Sequence, residues 1–245
     1  MATTGGAGRP EKRRAITRAA TTVFGREGYV RAGMDAIAAE AGVSKRTVYN
    51  HFADKETLFL SVALQSSAEL TGRIRALTAE HLDRVTDLRQ GLTDFAVERA
   101  RAVLSAGETG ERGAKAHGDH GDHEDYEDHG DHEDYEDHGA LDRAIRAEVA
   151  NIPADVLEAW QEAGPIARRR ELARCFEALA DRGLLVAEDA ALAAERFTLL
   201  TFHGIAERSF WGALPVADAE VRRIAAVGVD AFLRIHGTPR PASGG

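Results

Sequence analysis

The chain has 245 residues, of which 44% are hydrophobic and 29% are charged, enough apolar material for one large or two small domains. This composition excludes a fibrous protein and a wholly disordered one. The single cysteine, Cys175, cannot close a disulfide within the chain, and no apolar run of about 18 residues could span a membrane. No leading basic-then-apolar segment that could serve as a signal peptide appears, so we expect a cytoplasmic protein without a membrane partner, in which Cys175 is a small buried hydrophobe.

The formal net charge of −9 is unevenly distributed along the sequence. Eleven acidic residues and no Lys or Arg lie between His117 and Gly139. Within residues 1–60, ten basic residues outnumber six acidic ones. The amino-terminal quarter is therefore a basic module suited to binding phosphates.

The amino-terminal residues 1–10 are rich in Gly and Thr and predict a disordered arm. From Glu11, apolar residues recur at three- and four-residue spacing, which predicts a helix that ends at the break formed by Gly25 and Gly28. A second helix begins at Met34 with the same spacing.

Two capping residues predict the next two helices. Gly42 interrupts the second helix, and Ser44 offers an N-cap for a short third helix that runs to about His51. Asp54 plays the same role for a fourth helix.

The remaining sequence keeps a helical period, over residues 82–104, 141–149, 168–182, 190–212 and 218–236. Nothing in it is typical of a strand, so the predicted fold class is all-α. The six prolines fall at the edges of these segments and never inside one. Residues 238–245 predict a disordered tail.

Residues 106–139 break the helical pattern. The nine-residue sequence HGDHEDYED begins at His120 and is repeated from His129, with almost no apolar content, which predicts a disordered loop. Its histidines and carboxylates are ligands for Zn²⁺, Ni²⁺ or Cu²⁺, and the candidates are His120, His123, His129 and His132. A flexible tract holds no preformed geometry and would bind metal weakly and unselectively, so a solvated insertion is favoured over a metal-sensing or metal-buffering loop.

The second and third helices have the features of a helix-turn-helix. Gly42 supplies the positive φ of a tight turn, Val43 and Val48 fill the angle between the helices, and Ala38 is small where they touch. The positions that the third helix would expose carry donors, acceptors and a flat ring suited to a major groove: Lys45, Arg46, Thr47, Tyr49, Asn50 and His51.

The run IAAEAGVSKRTVYNHFADKETLF, from Ile37 to Phe59, resembles the amino-terminal DNA-binding domain of TetR-family bacterial transcriptional regulators. It meets every fixed position of the pattern I-A-x-x-A-G-V-S-x-x-T-x-Y-x-H-F-x-x-K-x-x-L. The segment 168–212 is similar to the carboxyl-terminal domain of the AefR-like branch. The resemblance implies a DNA-binding domain over 11–60 and a helical effector and dimerisation domain over 61–237.

The resemblance also implies roles for single residues. Tyr49 and Lys55 would hold phosphates, and Asn50 and His51 lie where operator specificity or backbone contact is decided. Residues 44–47 would contact backbone or bases. His51 has an alternative, packing against the fourth helix. Gly33 stands where the family usually has Ser or Thr, so its phosphate contact would come from the backbone N–H.

In such a regulator, aromatic residues of the helical domain would serve mostly as core, and some would line an effector cavity. The candidates for effector contact are Phe95, Trp160, Phe176, Phe202, His203 and Phe210. The last two long helices carry apolar faces that would pair with a second subunit, formed by Leu192, Phe197, Leu200, Val221, Ile224, Val229 and Phe232. We therefore expect a homodimeric repressor on an inverted-repeat operator, released by an unknown small molecule.

An enzyme is not expected, because the sequence lacks paired carboxylates, a nucleophile elbow, a phosphate-cradling glycine loop and closed metal-ligand spacing. No cofactor is expected either.

Overall fold

The computed structural model describes residues 8–104 and 131–238, those from 131 to 138 by their backbone alone. Every regular element within these ranges is a helix, and the one β-bridge found there joins Leu185 to Gly237. The predicted all-α class is confirmed.

Four helices form the amino-terminal part: α1 (Gly8–Arg31), α2 (Met34–Glu40), α3 (Lys45–His51) and α4 (Lys55–His81). The helices that follow are α5 (Leu88–Leu104), α6 (Asp131–Ala147), α7 (Ala154–Gln161), α8 (Ala167–Asp181), α9 (Ala190–Thr198), α10 (Gly204–Arg208) and α11 (Asp218–His236). A 3₁₀ turn over Val149–Asn151 precedes α7.

Helix α1 differs from its predicted bounds at both ends. It begins at Gly8, so residues 8–10 are helical and are not part of a disordered arm; Pro10 is tolerated because it stands in the first turn. The predicted break at Gly25 is wrong, whereas Gly28 does depart from helical geometry, with φ 79°. Gly25 is a close-approach site instead, since a Cβ there would lie 3.0 Å from the Cβ of Ala140 on α6.

Helix α6 corrects the prediction of a disordered loop over 106–139 at its carboxyl end. Residues 106–130 lie outside the described part of the chain, but the helix begins at Asp131, within the second copy of the repeat. Acidic residue types such as those of this copy are favoured in the first turns of a helix, where the backbone dipole is positive. Leu141 and Ile145 anchor the packed end of the helix, and each added turn then costs little.

Two segments of π-helix continue neighbouring α-helices. Glu162–Ile166 joins α7 to α8, and Leu199–His203 joins α9 to α10. Pro165 lies inside the first of these segments, which corrects the expectation that no proline lies within a helix. A π turn shifts the hydrogen-bond register, and such turns are found at functional sites.

The buried apolar side chains form two cores. The amino-terminal core joins α1, α2, α3 and the first half of α4, and it also takes Leu141 and Ile145 from α6 and Trp160 from α7. The carboxyl-terminal core joins the second half of α4 to α5, α8, α9 and α11. Helix α4 therefore runs unbroken through both cores, across the domain boundary predicted at residue 60.

One contact ties the end of α1 to the residue that follows α6. The backbone N–H of Val30 donates to Oε2 of Glu148 at 2.8 Å. A Cβ at Gly28 would lie 2.4 Å from the other carboxylate oxygen, so only glycine admits Glu148 this closely.

Candidate DNA-binding surface and ligand site

The turn between α2 and α3 has the predicted geometry. Gly42 has φ 63°, and the N–H of Val43 donates to the carbonyl of Ala38 at 3.0 Å. Ser44 caps α3 by accepting from the N–H of Thr47 at 3.1 Å. Val48 is fully buried against the neighbouring helices, so the angle between α2 and α3 is fixed by packing.

The fixed angle leaves one face of α3 open to solvent. Lys45, Arg46, Tyr49 and Asn50 are exposed, and 46% of Tyr49 is accessible. An exposed aromatic residue between basic and amide side chains can meet phosphates and base edges together.

Three predicted contact residues also have partners within the protein. The hydroxyl groups of Thr47 and Ser44 lie 2.8 Å apart, so each serves the cap of α3. Lys45 forms an ion pair with Asp35 of α2, with 2.9 Å between Nζ and Oδ2, and this hydrogen bond raises the pKa of Lys45. The pair is solvent-exposed and therefore weak enough for a phosphate to displace the carboxylate.

Lys55 occupies a different environment from the one that the resemblance implies. Its ammonium group donates to three backbone carbonyls, those of Tyr29 at 2.8 Å, Val30 at 3.2 Å and Ala32 at 3.3 Å. It also lies 4.7 Å from the ring centroid of Tyr29. All three of its N–H donors are thus engaged with the end of α1, a stabilising role that the sequence did not predict.

Gly33 is the N-cap of α2, as predicted, with extended backbone and no side chain to accept a hydrogen bond. A Cβ at this position would meet no atom within 4 Å. Nothing in the packing therefore demands glycine here.

His51 lies beside a basic group that was not among the predicted site residues. Partial burial lowers its pKa, and the positive charges of Arg9, Arg13 and Lys12 lower it further. These three residues occupy the first turns of α1, so the start of α1 adds positive charge to the edge of the α3 surface. The basic run in residues 9–14 was the sequence signal, but Arg9 was assigned to the arm and the others to the first helix, and none was named as a site residue.

The predicted effector residues do not form one cluster. Phe95 and Phe176 are fully buried and pack with Phe197 in the carboxyl-terminal core. Phe210 is 69% exposed, and His203 is exposed with Nε2 lying 3.4 Å from a Glu207 carboxylate oxygen.

Trp160 and Phe202 belong to different cores, but Trp211 and Arg146 connect them. The ring centroids of Phe202 and Trp211 lie 6.1 Å apart. The guanidinium carbon of Arg146 lies 4.0 Å from the Trp211 ring and 5.4 Å from the Trp160 ring. His203 approaches the same tryptophan, with 6.3 Å between the centroids. Of the six predicted effector residues, Trp160, Phe202 and His203 therefore lie around Trp211 and Arg146.

Family models and solved structures of known proteins match this chain. A model of the bacterial regulatory proteins of the tetR family matches residues 16–62, and a model of the AefR-like transcriptional repressor carboxyl-terminal domain matches residues 135–238. A TetR-family regulator from Mesorhizobium loti MAFF303099 is 31% identical, with a TM-score of 0.75 over 94% of this chain and 98% of that one. The chain belongs to the TetR family of transcriptional regulators.

Two further relatives bear on this TetR-family chain. The HTH-type transcriptional activator FasR of Mycolicibacterium smegmatis is 42% identical over 84 residues, which make up 34% of this chain and 36% of FasR. The match thus spans about a third of that relative's length. A TetR-family regulator from Pseudomonas syringae pv. tomato is 24% identical, with a TM-score of 0.61 over 94% of this chain and 98% of that one, and it shares the fold.

The structure does not describe the side chains of the four predicted metal ligands of this regulator. His120, His123 and His129 lie outside the described residues, and His132 lies on α6 among those described by backbone alone. Among the residues whose side chains the structure describes, 8–104 and 139–238, no group of three or more potential metal ligands was found. In the same ranges, no helix combines the length and apolar character that crossing a membrane requires.

The apolar faces predicted for dimerisation need correction. Phe197, Val221, Val229 and Phe232 are buried within the chain's own core, because α9 and α11 pack against each other and against α5 and α8. Leu200 and Ile224 are partly buried, and Leu192 remains exposed. The apolar side chains that the subunit leaves open on these elements are Leu192, Leu199, Val227 and Ile235.

Proposed function

We propose that this TetR-family chain is a homodimeric repressor that binds an inverted-repeat operator through α3 and leaves it when a small molecule binds. The observation that supports this most directly is the exposed face of α3, where Arg46, Tyr49 and Asn50 project from a helix held by a capped turn. Such a helix is the element that enters the major groove in helix-turn-helix proteins. The protein acts in the cytoplasm, where its operator is, and the proposal assigns it no catalysis and no cofactor.

The uncovered apolar side chains on α9, the following π segment and α11 support the dimer. Val227 is 58% exposed, and Leu199 and Ile235 are similarly open. Two copies of this face related by a two-fold axis would cover them, and a stable interface needs about 800 Å² from each partner. The same axis would place the two α3 helices in successive major grooves, roughly 34 Å apart, which requires an inverted repeat.

The direction of regulation is proposed from the carboxyl-terminal half. The AefR-like model, described as that of a repressor, covers residues 135–238. FasR, named as an activator, matches over a shorter stretch of 84 residues. Repression is therefore the proposed outcome of operator binding.

Fluorescence anisotropy on DNA from upstream of the chain's own gene tests the DNA contact. We expect saturable, salt-dependent binding that Asn50→Ala and Arg46→Ala each weaken by roughly tenfold or more, because a specific base or phosphate contact is lost. Arg169→Ala, at an exposed position on α8, is the matched control and leaves binding unchanged. Equal binding by all four proteins would contradict the proposed surface.

Two further measurements test the assembly and the direction. Val227→Glu places a charge on the open face of α11, so light scattering should show a monomer whose binding to the inverted repeat collapses. A promoter–reporter fusion should be silenced by the wild-type protein. If the protein switches the reporter on, it is an activator and the proposed repression is wrong. If the Val227→Glu protein is still a dimer, the dimer interface does not include this face of α11.

A further inference from the structure

Among the described residues, two buried arginines of the helical half have no carboxylate partner. Arg99 on α5 is 8% exposed and Arg168 on α8 is 9% exposed. Neither guanidinium forms an ion pair among the residues that the structure describes, and Nη1 of Arg99 has no hydrogen-bond partner there. Burial lowers the pKa of both to about 10, and the charge of Arg168 lowers that of Arg99 further. Both stay protonated at neutral pH.

A buried and unpaired charge is one of the most unfavourable arrangements in a folded protein. Two such charges close enough to interact are more unfavourable still. An arrangement of this kind persists at functional sites, where an anion supplied from outside completes it.

The charges around these two residues remain positive overall. Asp142 is the acidic residue that acts on Arg168, and it is already paired with Arg146, with 2.7 Å between Oδ2 and Nε. Arg146 also acts on Arg168 with a like charge. Among the side chains that the structure describes, these three guanidinium groups thus share one carboxylate, which leaves two positive charges without compensation there. We refer to Arg99, Arg146 and Arg168 as the arginine cluster.

Aromatic rings lie beside two of these three arginines. The guanidinium carbon of Arg99 lies 5.1 Å from the ring centroid of Phe202, and Arg146 lies between Trp160 and Trp211. Trp211 itself has φ 57°, in the left-handed region that disfavours a bulky side chain. Strained backbone of this sort is found where a side chain is held in place for binding.

Gly164 lets two polar side chains approach its backbone closely, and one of them is Arg168. A Cβ at Gly164 would lie 3.3 Å from Nη1 of Arg168 and 2.9 Å from Oγ of Ser67 on α4. The buried Ser67 and the guanidinium of Arg168 thus both contact the space that a side chain at position 164 would fill.

We propose that the arginine cluster binds the carboxylate or phosphate group of the effector, whose flat apolar part packs against Phe202, Trp160 and Trp211. This inference rests on the proposed function, because it names the chemical class of the molecule that controls it. Two guanidinium groups suit either oxyanion, since both accept paired N–H donors.

The position of the arginine cluster explains how the binding of such a ligand would affect the DNA-binding surface. Arg99 and Arg168 project from helices of the carboxyl-terminal core, whereas Arg146 lies on α6, which packs against α1, and Trp160 belongs to the amino-terminal core. An anion that draws these groups together changes how α6 sits relative to α5 and α8, and α6 carries α1 with it. The size of the effect is limited by the ligand's differential affinity for the two arrangements.

Titration calorimetry with three related probes tests the site: 2-naphthyl phosphate, 2-naphthoate and the uncharged 2-naphthamide. We expect saturable binding of one or both anions to the full-length protein and none of the amide, and the preferred anion identifies the headgroup. Arg99→Met and Arg168→Met, which keep an apolar stem, should each weaken that binding roughly tenfold or more. Arg169→Met, at the adjacent exposed position, is the control and should bind as the wild type does.

Thermal melting without any ligand gives a second readout. Because Met removes an uncompensated buried charge, the Arg99→Met protein should melt at a higher temperature than the wild type. A lower melting temperature in both variants would show that the two arginines are structural and would overturn the proposal. Absence of saturable anion binding at millimolar concentrations, or equal binding by the variants, would also overturn it.

Operator binding separates this inference from the function on which it rests. In the expected case, Arg99→Met binds DNA as the wild type does, and its DNA affinity no longer responds to the anion. DNA binding without anion binding would sink the inference alone. Anion binding by a protein that recognises no operator would sink the proposed function and leave the site standing.

Discussion

Replacing Lys55 by methionine separates two roles for this residue. In the structure, its ammonium group donates to three carbonyls at the end of α1 and lies over the ring of Tyr29. A hydrogen bond to a charged group contributes about 1.5–3 kcal/mol when buried, and a cation–π contact contributes about 0.5–1 kcal/mol at an exposed site. Lys55 is only half-buried, so water competes for these contacts, and we expect a net loss of about 2–3 kcal/mol.

The loss should appear in thermal melting. For a protein of this length each kcal/mol moves the melting temperature by about 2–4 °C, so Lys55→Met should melt roughly 4–12 °C lower than the wild type. Lys45→Met, which breaks only an exposed ion pair, is the control and should move it by much less.

The salt dependence of DNA binding supplies the decisive comparison. A lysine that contacts a phosphate contributes a slope of about −0.9 to the logarithm of affinity against the logarithm of salt concentration. We expect Lys55→Met to keep the wild-type slope, because its ammonium group is already engaged. A variant that melts normally and loses about one unit of slope per subunit would refute this reasoning and support the phosphate contact.

Three further changes test other parts of the molecule. Ser44→Ala removes the acceptor for the N–H of Thr47 and should destabilise the protein by about 1 kcal/mol in urea unfolding, with Ser44→Gly milder; no loss would mean that the cap is dispensable. DNA phosphates would offset the positive charges that lower the pKa of His51, so DNA binding should take up a proton and tighten as pH falls below neutrality; His51→Gln should flatten that profile, and an unchanged profile would place His51 away from DNA. Gly228→Ala would bring a Cβ to 2.2 Å from the carbonyl oxygen of Leu200, so circular dichroism should show marked destabilisation; a wild-type melting curve would contradict this packing.

Local chemistry near the turn was predictable because it depends on residues a few positions apart. Ser44 and Asp54 cap the helices that follow them, and Gly42 has the positive φ that the turn requires. Each of these features is set by a short-range hydrogen bond or by the absence of a Cβ, so the sequence alone shows it.

Features that depend on distant partners were not predictable. The contacts of Lys55 with the carbonyls of Tyr29, Val30 and Ala32 are one case, because nothing in the sequence shows that these groups approach it. Phe197 and Phe232 looked uncovered because their helices were considered singly, whereas in the structure they pack against each other, with 5.2 Å between ring centroids. The arginine cluster combines residues from α5, α6 and α8, which periodicity cannot align.

The close contact of Glu148 with the end of α1 limits how regulators of this kind could be recombined. A DNA-binding fragment that ended at residue 60 would lose the Glu148 carboxylate, together with Leu141 and Ile145. It would expose the apolar face of α1 that these side chains cover. Chimeric regulators made by exchanging only the first 60 residues would therefore place α1 of one protein against α6 of another, and these two surfaces are not complementary. A chimera that keeps α6 and α7 together with the DNA-binding domain preserves the contact between Glu148 and α1. Its junction then lies on the side of α5 and α8.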